Sequence, residues 1–193
     1  MSTLEDLSLP RVVLITDTDG ADVGLAAAAL TSVLTQAGTR VGSLRFATGN
    51  EPVVRQAMKA TDGDHDVLVI DAAAGLLVAL DERGGTLADV GSALRYKGVS
   101  TGAVLVTTGG PAAVNVLALS AEALARRELP VIGVVVCAQH GDSPDVSSAR
   151  LAAAAGAPLL AVLSGDLATT DPSSSGSQAA LGFSSDSWET MAP

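Results

Sequence analysis

RVVLITDTDGADVGLAAAAL, residues 11–30, passes from an apolar run through a loop of Asp, Thr, Gly and Ala into an Ala- and Leu-rich run. Val12-Val13-Leu14-Ile15 predicts a strand buried on both faces. Leu25 to Leu30 predicts helix. A strand, a loop of small residues and a helix together make a seat for phosphate. The first helical N–H groups are unpaired there, and the helix dipole turns its positive end to the loop. A working phosphate loop also carries Gly-Lys-Ser/Thr where the helix starts. In this chain those positions read Gly24-Leu25-Ala26.

Outward from this stretch, the chain repeats the same alternation. After the strand Val12–Thr16, a helix is expected from Asp22, its N-cap, to Ala37, with Gly38 just past its end. Val41–Ala47 reads as the second strand and Pro52–Ala60 as a short helix. Val67–Ile70 reads as a third buried strand with Asp71 at its carboxyl end. Thr86–Arg95 reads as helix and Ala103–Thr107 as strand. Ala112–Arg127 reads as a long helix, with Pro111 suited to its first turn. Val131–Cys137 is a strand, Val146–Ala155 a helix closed by Gly156, and Pro158–Leu163 the last strand. This βα period specifies an α/β fold: three layers, a doubly wound and mostly parallel sheet with helices on both faces. Ligands in such sheets bind beyond the carboxyl ends of the strands. Asp17, Thr18, Asp19, Arg45, Thr48, Asp71, Thr107 and Thr108 all fall there.

The chain has 193 residues, 48% of them apolar and only 2% aromatic. That is enough for one domain with a Val, Leu, Ile and Ala core. The reading is a single domain over residues 1–165 and a Ser-rich flexible tail over 166–193. A formal net charge of −10 argues against a nucleic-acid surface, which needs a basic face. No apolar run reaches the ~18 residues of a membrane span, and residues 1–10 lack the features of a secretory signal. The cytoplasm is the expected compartment. Cys137 is the lone cysteine, a core residue in an apolar run. His65 and His140 are loop histidines without partners at ligand spacing.

Val12 to Gly24, Gln36 to Arg45 with Thr48-Gly49, Val69 to Val78, and Val106-Thr107 with the helix and strand after it together resemble dethiobiotin synthetase, the ATP-dependent carboxylase-cyclase of biotin synthesis. Val12 to Gly24 resembles that family's strand and Gly-Thr-rich P-loop. Gln36 to Arg45, followed by Thr48-Gly49, resembles its second strand and Lys-Pro…Thr-Gly element. Val69-Ile-Asp71-Ala-Ala-Ala-Gly75-Leu-Leu-Val resembles its Val-Glu-Gly-Ala-Gly-Gly segment. Val106-Thr107, the helix through Asn115 to Leu124 and the strand after Leu129 resemble its fourth strand, long helix and fifth strand. The resemblance implies a P-loop NTPase fold and a homodimer with the Pro111–Arg127 helix at its interface. If the chain is active, it also implies Mg2+ and ATP and a small diamino-acid substrate. It puts nucleotide on Thr18, Asp19, Gly20, Val23, Gly24, Leu25 and Ala26, and metal on Asp71 and Asp19. It makes Arg45 and Asp71 catalytic, and gives the substrate Thr48, Thr107 and Thr108.

The departures shape the functional expectation. No lysine precedes Lys59; Leu25 and Ala26 stand where the P-loop Lys and the Mg-binding hydroxyl belong. Asp71 replaces a Glu, and residues 50–66 form a bare crossover where the family has several dozen residues. Asp17, Asp19 and Asp22 put acids beside the seat, which repel bare anions. Each acid has two readings. Asp17 and Asp19 suit Asx-type turns or metal ligation, and Asp22 suits a helix cap. Arg45 either pairs with an aspartate or meets a ligand. Thr107 and Thr108 either cap and turn the chain or bind. The function expected is a dethiobiotin synthetase-like protein with activity weakened or lost. The alternative is a catalytically silent relative acting as a binding or assembly partner.

Overall fold

The computed structural model describes residues 9–46, 51–138 and 146–164. Six strands alternate with five helices: β1 (Val12–Asp17), α1 (Val23–Gln36), β2 (Val41–Phe46), α2 (Val53–Ala60), β3 (Val67–Gly75), α3 (Leu87–Tyr96), β4 (Thr101–Thr107), α4 (Ala113–Ala125), β5 (Val131–Ala138), α5 (Ser148–Ala155) and β6 (Leu159–Ser164). The sheet order is β2-β3-β1-β4-β5-β6, and every pairing is parallel. Thr48, His140 and the tail from 166 onward lie outside the described residues.

Side chains alternate across a strand, so the sheet has two cores. Val13, Ile15, Val69, Val104 and Val106 pack under Leu25, Ala26, Leu30 and Leu34 of α1. Val12, Leu14, Leu68, Ile70 and Leu105 pack under residues of α2, α3, α4 and α5. Among the described helices α1 alone covers its face. Right-handed crossovers require this division. The chain steps past β3 to make β2, then reverses direction for every later strand, so later helices fall on the other face. The reversal leaves the carboxyl ends of β1, β3 and β4 side by side, with the start of α1 above them.

The strand that follows α2 is longer than expected. β3 runs to Gly75 rather than stopping at Ile70. Asp71 is therefore inside the sheet, opposite Arg45 of β2 and Ile15 of β1, and only 2% exposed. Small residues after it keep the ladder going, and the register with β1 shifts between Ile15 and Asp17 so that Asp17 faces Gly75. Pro111 is also displaced from its expected place. α4 opens at Ala113 with Ala112 as the cap residue, so the proline precedes the helix. α3 begins with a complete capping box between Thr86 and Asp89, worth about 1 kcal/mol. No helix among the described residues is long and apolar enough to cross a membrane.

Candidate active site

β1, the loop after it, the first turn of α1, Arg45 and β3 enclose a pocket of about 330 Å3. Asp17, Ala21, Asp22, Gly24, Arg45 and Asp71 are among its walls. Three acids enter this region, and each has a structural partner. Asp17 closes β1 and turns its Oδ1 onto the N–H groups of Asp19 (3.0 Å), Gly20 (2.8 Å) and Ala21 (2.8 Å). Asp22 caps α1, accepting from the Leu25 N–H at 2.9 Å.

Asp19 ties the loop to β4. It accepts from the Thr107 hydroxyl, the Thr108 N–H and the Thr108 hydroxyl, each at 2.8 Å. Thr107 and Thr108 thus spend their hydroxyls on Asp19. Thr18 joins the same seam, giving its N–H and hydroxyl to the Val106 carbonyl at 3.0 and 2.9 Å. Hydrogen bonds to a charged acceptor contribute roughly 1.5–3 kcal/mol each and overlap when they share a group. Asp19→Ala is expected to lower the unfolding free energy by about 3 kcal/mol. Urea denaturation checks this; a loss below about 1 kcal/mol would contradict the seam's importance.

Arg45 and Asp71 form an ion pair, Nε to Oδ2, at 2.6 Å. Its two ends differ: the Asp71 side chain is 3% exposed and that of Arg45 57%. Burial pushes the Asp71 carboxyl above the usual carboxylate range, and the guanidinium beside it pulls the other way without cancelling the shift. The guanidinium also packs on the loop. A methyl group on Gly24 would lie 2.7 Å from Arg45 Nη2, so a larger residue there would push the guanidinium aside. Val23, Leu25 and Ala26 are 4%, 6% and 1% exposed and belong to the core beneath α1.

Cys137, near the end of β5, donates from Sγ to the Asp22 carbonyl at 3.5 Å. Burial, together with the carboxylates of Asp22 and Asp19, pushes its thiol up to about 12, which makes it inert at neutral pH. His65 is remote from the pocket, packed beside Gly42 with Nε2 buried and without a partner among the described residues.

The donor set does not match a magnesium–triphosphate. That ligand needs a cation on its phosphates, a hydroxyl on its metal and free N–H groups around it. Here the first two positions are apolar core, and Asp17 holds three of the N–H groups. Among the described residues no group of three or more His, Cys, Asp or Glu is arranged to hold a metal. Of the two readings the sequence left open for Asp17, an Asx-type turn or a metal ligand, the three N–H bonds favour the turn. The local signal was an Asp at a strand end followed by small residues, the pattern of an Asx turn.

A family model described as "AAA domain" matches residues 43–173. The chain belongs to that family. The match opens inside β2, leaving out β1, its loop and α1. Within this family the chain is similar to ATP-dependent dethiobiotin synthetases. The ATP-dependent dethiobiotin synthetase of Saccharopolyspora erythraea is 39% identical over 134 residues, covering 67% of this chain and 56% of that one. The one from Streptomyces coelicolor is 32% identical over 160 residues, covering 79% and 61%. The family member described here thus spans little more than half the length of these curated relatives. Solved structures agree on the fold. Chloroplast FtsY from Physcomitrella patens superposes with a TM-score of 0.58 at 15% identity, covering 90% of this chain and 65% of that one. A ParA family ATPase from Chlorobium tepidum gives 0.53 at 12%, covering 94% and 96%.

Proposed function

We propose that this family member keeps the scaffold of a dethiobiotin synthetase but has weakened or lost its ATP-dependent carboxylation and ring closure. One observation carries the reading: Leu25 and Ala26, standing where the phosphate-gripping lysine and the metal-binding hydroxyl belong, are buried in the core under α1. Phosphoryl transfer is mostly positioning and charge neutralisation. Removing one preorganised donor from a developing charge costs about 3–4 kcal/mol, or ~10²–10³ in rate. Arg45 is the cation at the pocket's mouth, and it is held by Asp71. The relatives' identity supports the substrate class, a small diamino acid, with ATP and Mg2+ for whatever activity remains. The same reading includes the family's homodimer with α4 at its interface, where Leu119 is 57% exposed.

The test is dethiobiotin formation from 7,8-diaminononanoate with ATP and Mg2+, using Asp71→Ala as the control. The reading expects turnover at or barely above that control; turnover approaching that of a working synthetase would refute it. The second reading, a silent binding or assembly partner, is favoured by Leu77 and Val78, 53% and 52% exposed just beyond β3. That is an apolar rim on the pocket's end of the sheet. Thermal shift with ATP and Mg2+ tests whether a nucleotide seat is left at all, because ligand at ~100 times its Kd stabilises by about 2.7 kcal/mol. A silent protein shows no such shift.

A further inference from the structure

Most of the N–H groups that a phosphate would use are already occupied. Asp19, Gly20 and Ala21 give theirs to Asp17 Oδ1. Thr18 and Val23 give theirs to the carbonyls of Val106 and Ala21. Leu25 and Ala26 give theirs to the Asp22 side chain and carbonyl. Among the described residues of this loop, Asp22 and Gly24 keep N–H groups without a protein acceptor, and the Arg45 guanidinium lies against Gly24. Gly20 takes φ +87°, a left-handed turn that curls the backbone around the carboxylate.

Successive N–H groups on such a turn form a concave anion seat. A carboxylate accepting three of them is, physically, a bound anion. We propose that the Asp17 carboxylate is the resident anion of this loop and closes it to phosphate from within. The inference rests on the reading that the loop is a phosphate seat that has lost its cation, and it adds what replaced the ligand. The competition is unequal. Asp17 is tethered to the loop it fills, so an incoming phosphate must displace an intramolecular partner. Once displaced, the carboxylate would stay in the same pocket, beside the phosphate and near Asp22 and Asp71. Arg45 relieves the repulsion only in part, because its Nε is spent on Asp71 and its charge is already countered there.

The probe is inorganic tripolyphosphate, titrated calorimetrically into the full chain at low ionic strength without added metal. The wild-type chain is expected to give no binding heat at millimolar ligand. Asp17→Gly removes the resident anion and keeps the turn, and is expected to bind at least ~10-fold more tightly, a difference of about 1.4 kcal/mol. Asp17→Asn, which keeps an acceptor oxygen but not the charge, should fall between them. If Asp17→Gly binds no better than wild type, the inference fails while the lost-lysine reading stands. Turnover by the wild-type chain approaching that of a working synthetase would instead remove that reading. A second measurement needs no variant. In wild-type protein the amide resonances of Asp19, Gly20 and Ala21 should stay fixed when tripolyphosphate is added at neutral pH; their movement on that addition would overturn the inference.

Discussion

Dethiobiotin formation by the purified protein is expected to run ~10⁴-fold or more below that of the Saccharopolyspora erythraea synthetase assayed beside it, with diamino acid, carbon dioxide, ATP and Mg2+ saturating. The size follows from two absent groups. A lysine and a hydroxyl would each stabilise charge that develops only in the transition state, and each is worth ~10²–10³ in rate. Their positions, Leu25 and Ala26, face the core, so no small rotation brings another group of α1 into the gap. Arg45 keeps Nη donors free, but its charge is already countered by Asp71 through Nε, and giving phosphate its full charge would mean abandoning Asp71. Breaking a buried pair by removing one partner costs about 3–5 kcal/mol, and the discount here is partial because the Arg45 end is more than half exposed. A rate within tenfold of the relative's would mean that another cation reaches the phosphates.

The second large effect concerns repair. Restoring the signature by Leu25→Lys is expected to cost about 3 kcal/mol or more of stability and to gain no nucleotide binding. Leu25 is 6% exposed and packs with Val13, Ile15 and Leu30 in the core under α1. The change removes a buried Leu, which costs ~2–5 kcal/mol in truncation series, and puts an ammonium where desolvation opposes it. Arg45 over Gly24 and the Asp17-filled loop still stand between that lysine and a phosphate. Urea unfolding and thermal shift with ATP and Mg2+ read both parts. A variant as stable as wild type that ATP stabilises would show that the side chain can turn outward into a working seat.

The strands were legible because those of a parallel sheet buried on both faces are written as unbroken Val, Leu and Ile runs. Val12–Ile15, Val67–Ile70, Ala103–Thr107 and Val131–Cys137 all lie within observed strands. β3 outran its prediction because Ala72, Ala73 and Ala74 carry little strand preference of their own. Pairing with β2 and β1 keeps them extended. Asp17 and Asp22 bind N–H groups within a few residues of themselves, and such local patterns can be read from a sequence. Asp19 bonds Thr107 and Thr108, and Arg45 bonds Asp71. Those partners are far apart in the chain and become neighbours only through the sheet order, β3 and β4 flanking β1 and β2 beyond β3. The open alternatives for Arg45, a ligand or an aspartate, could therefore be decided only by the fold.

The central claim is that this loop and pocket are filled by the chain's own charges. The most direct test is a crystal structure of the protein soaked with ATP and Mg2+. The account predicts that Asp17 keeps its three N–H groups, Arg45 stays on Asp71, and no triphosphate density appears between Asp17 and Gly24. A triphosphate seated on the Gly24 amide, with Asp17 turned away and Arg45 on the phosphates, would contradict it.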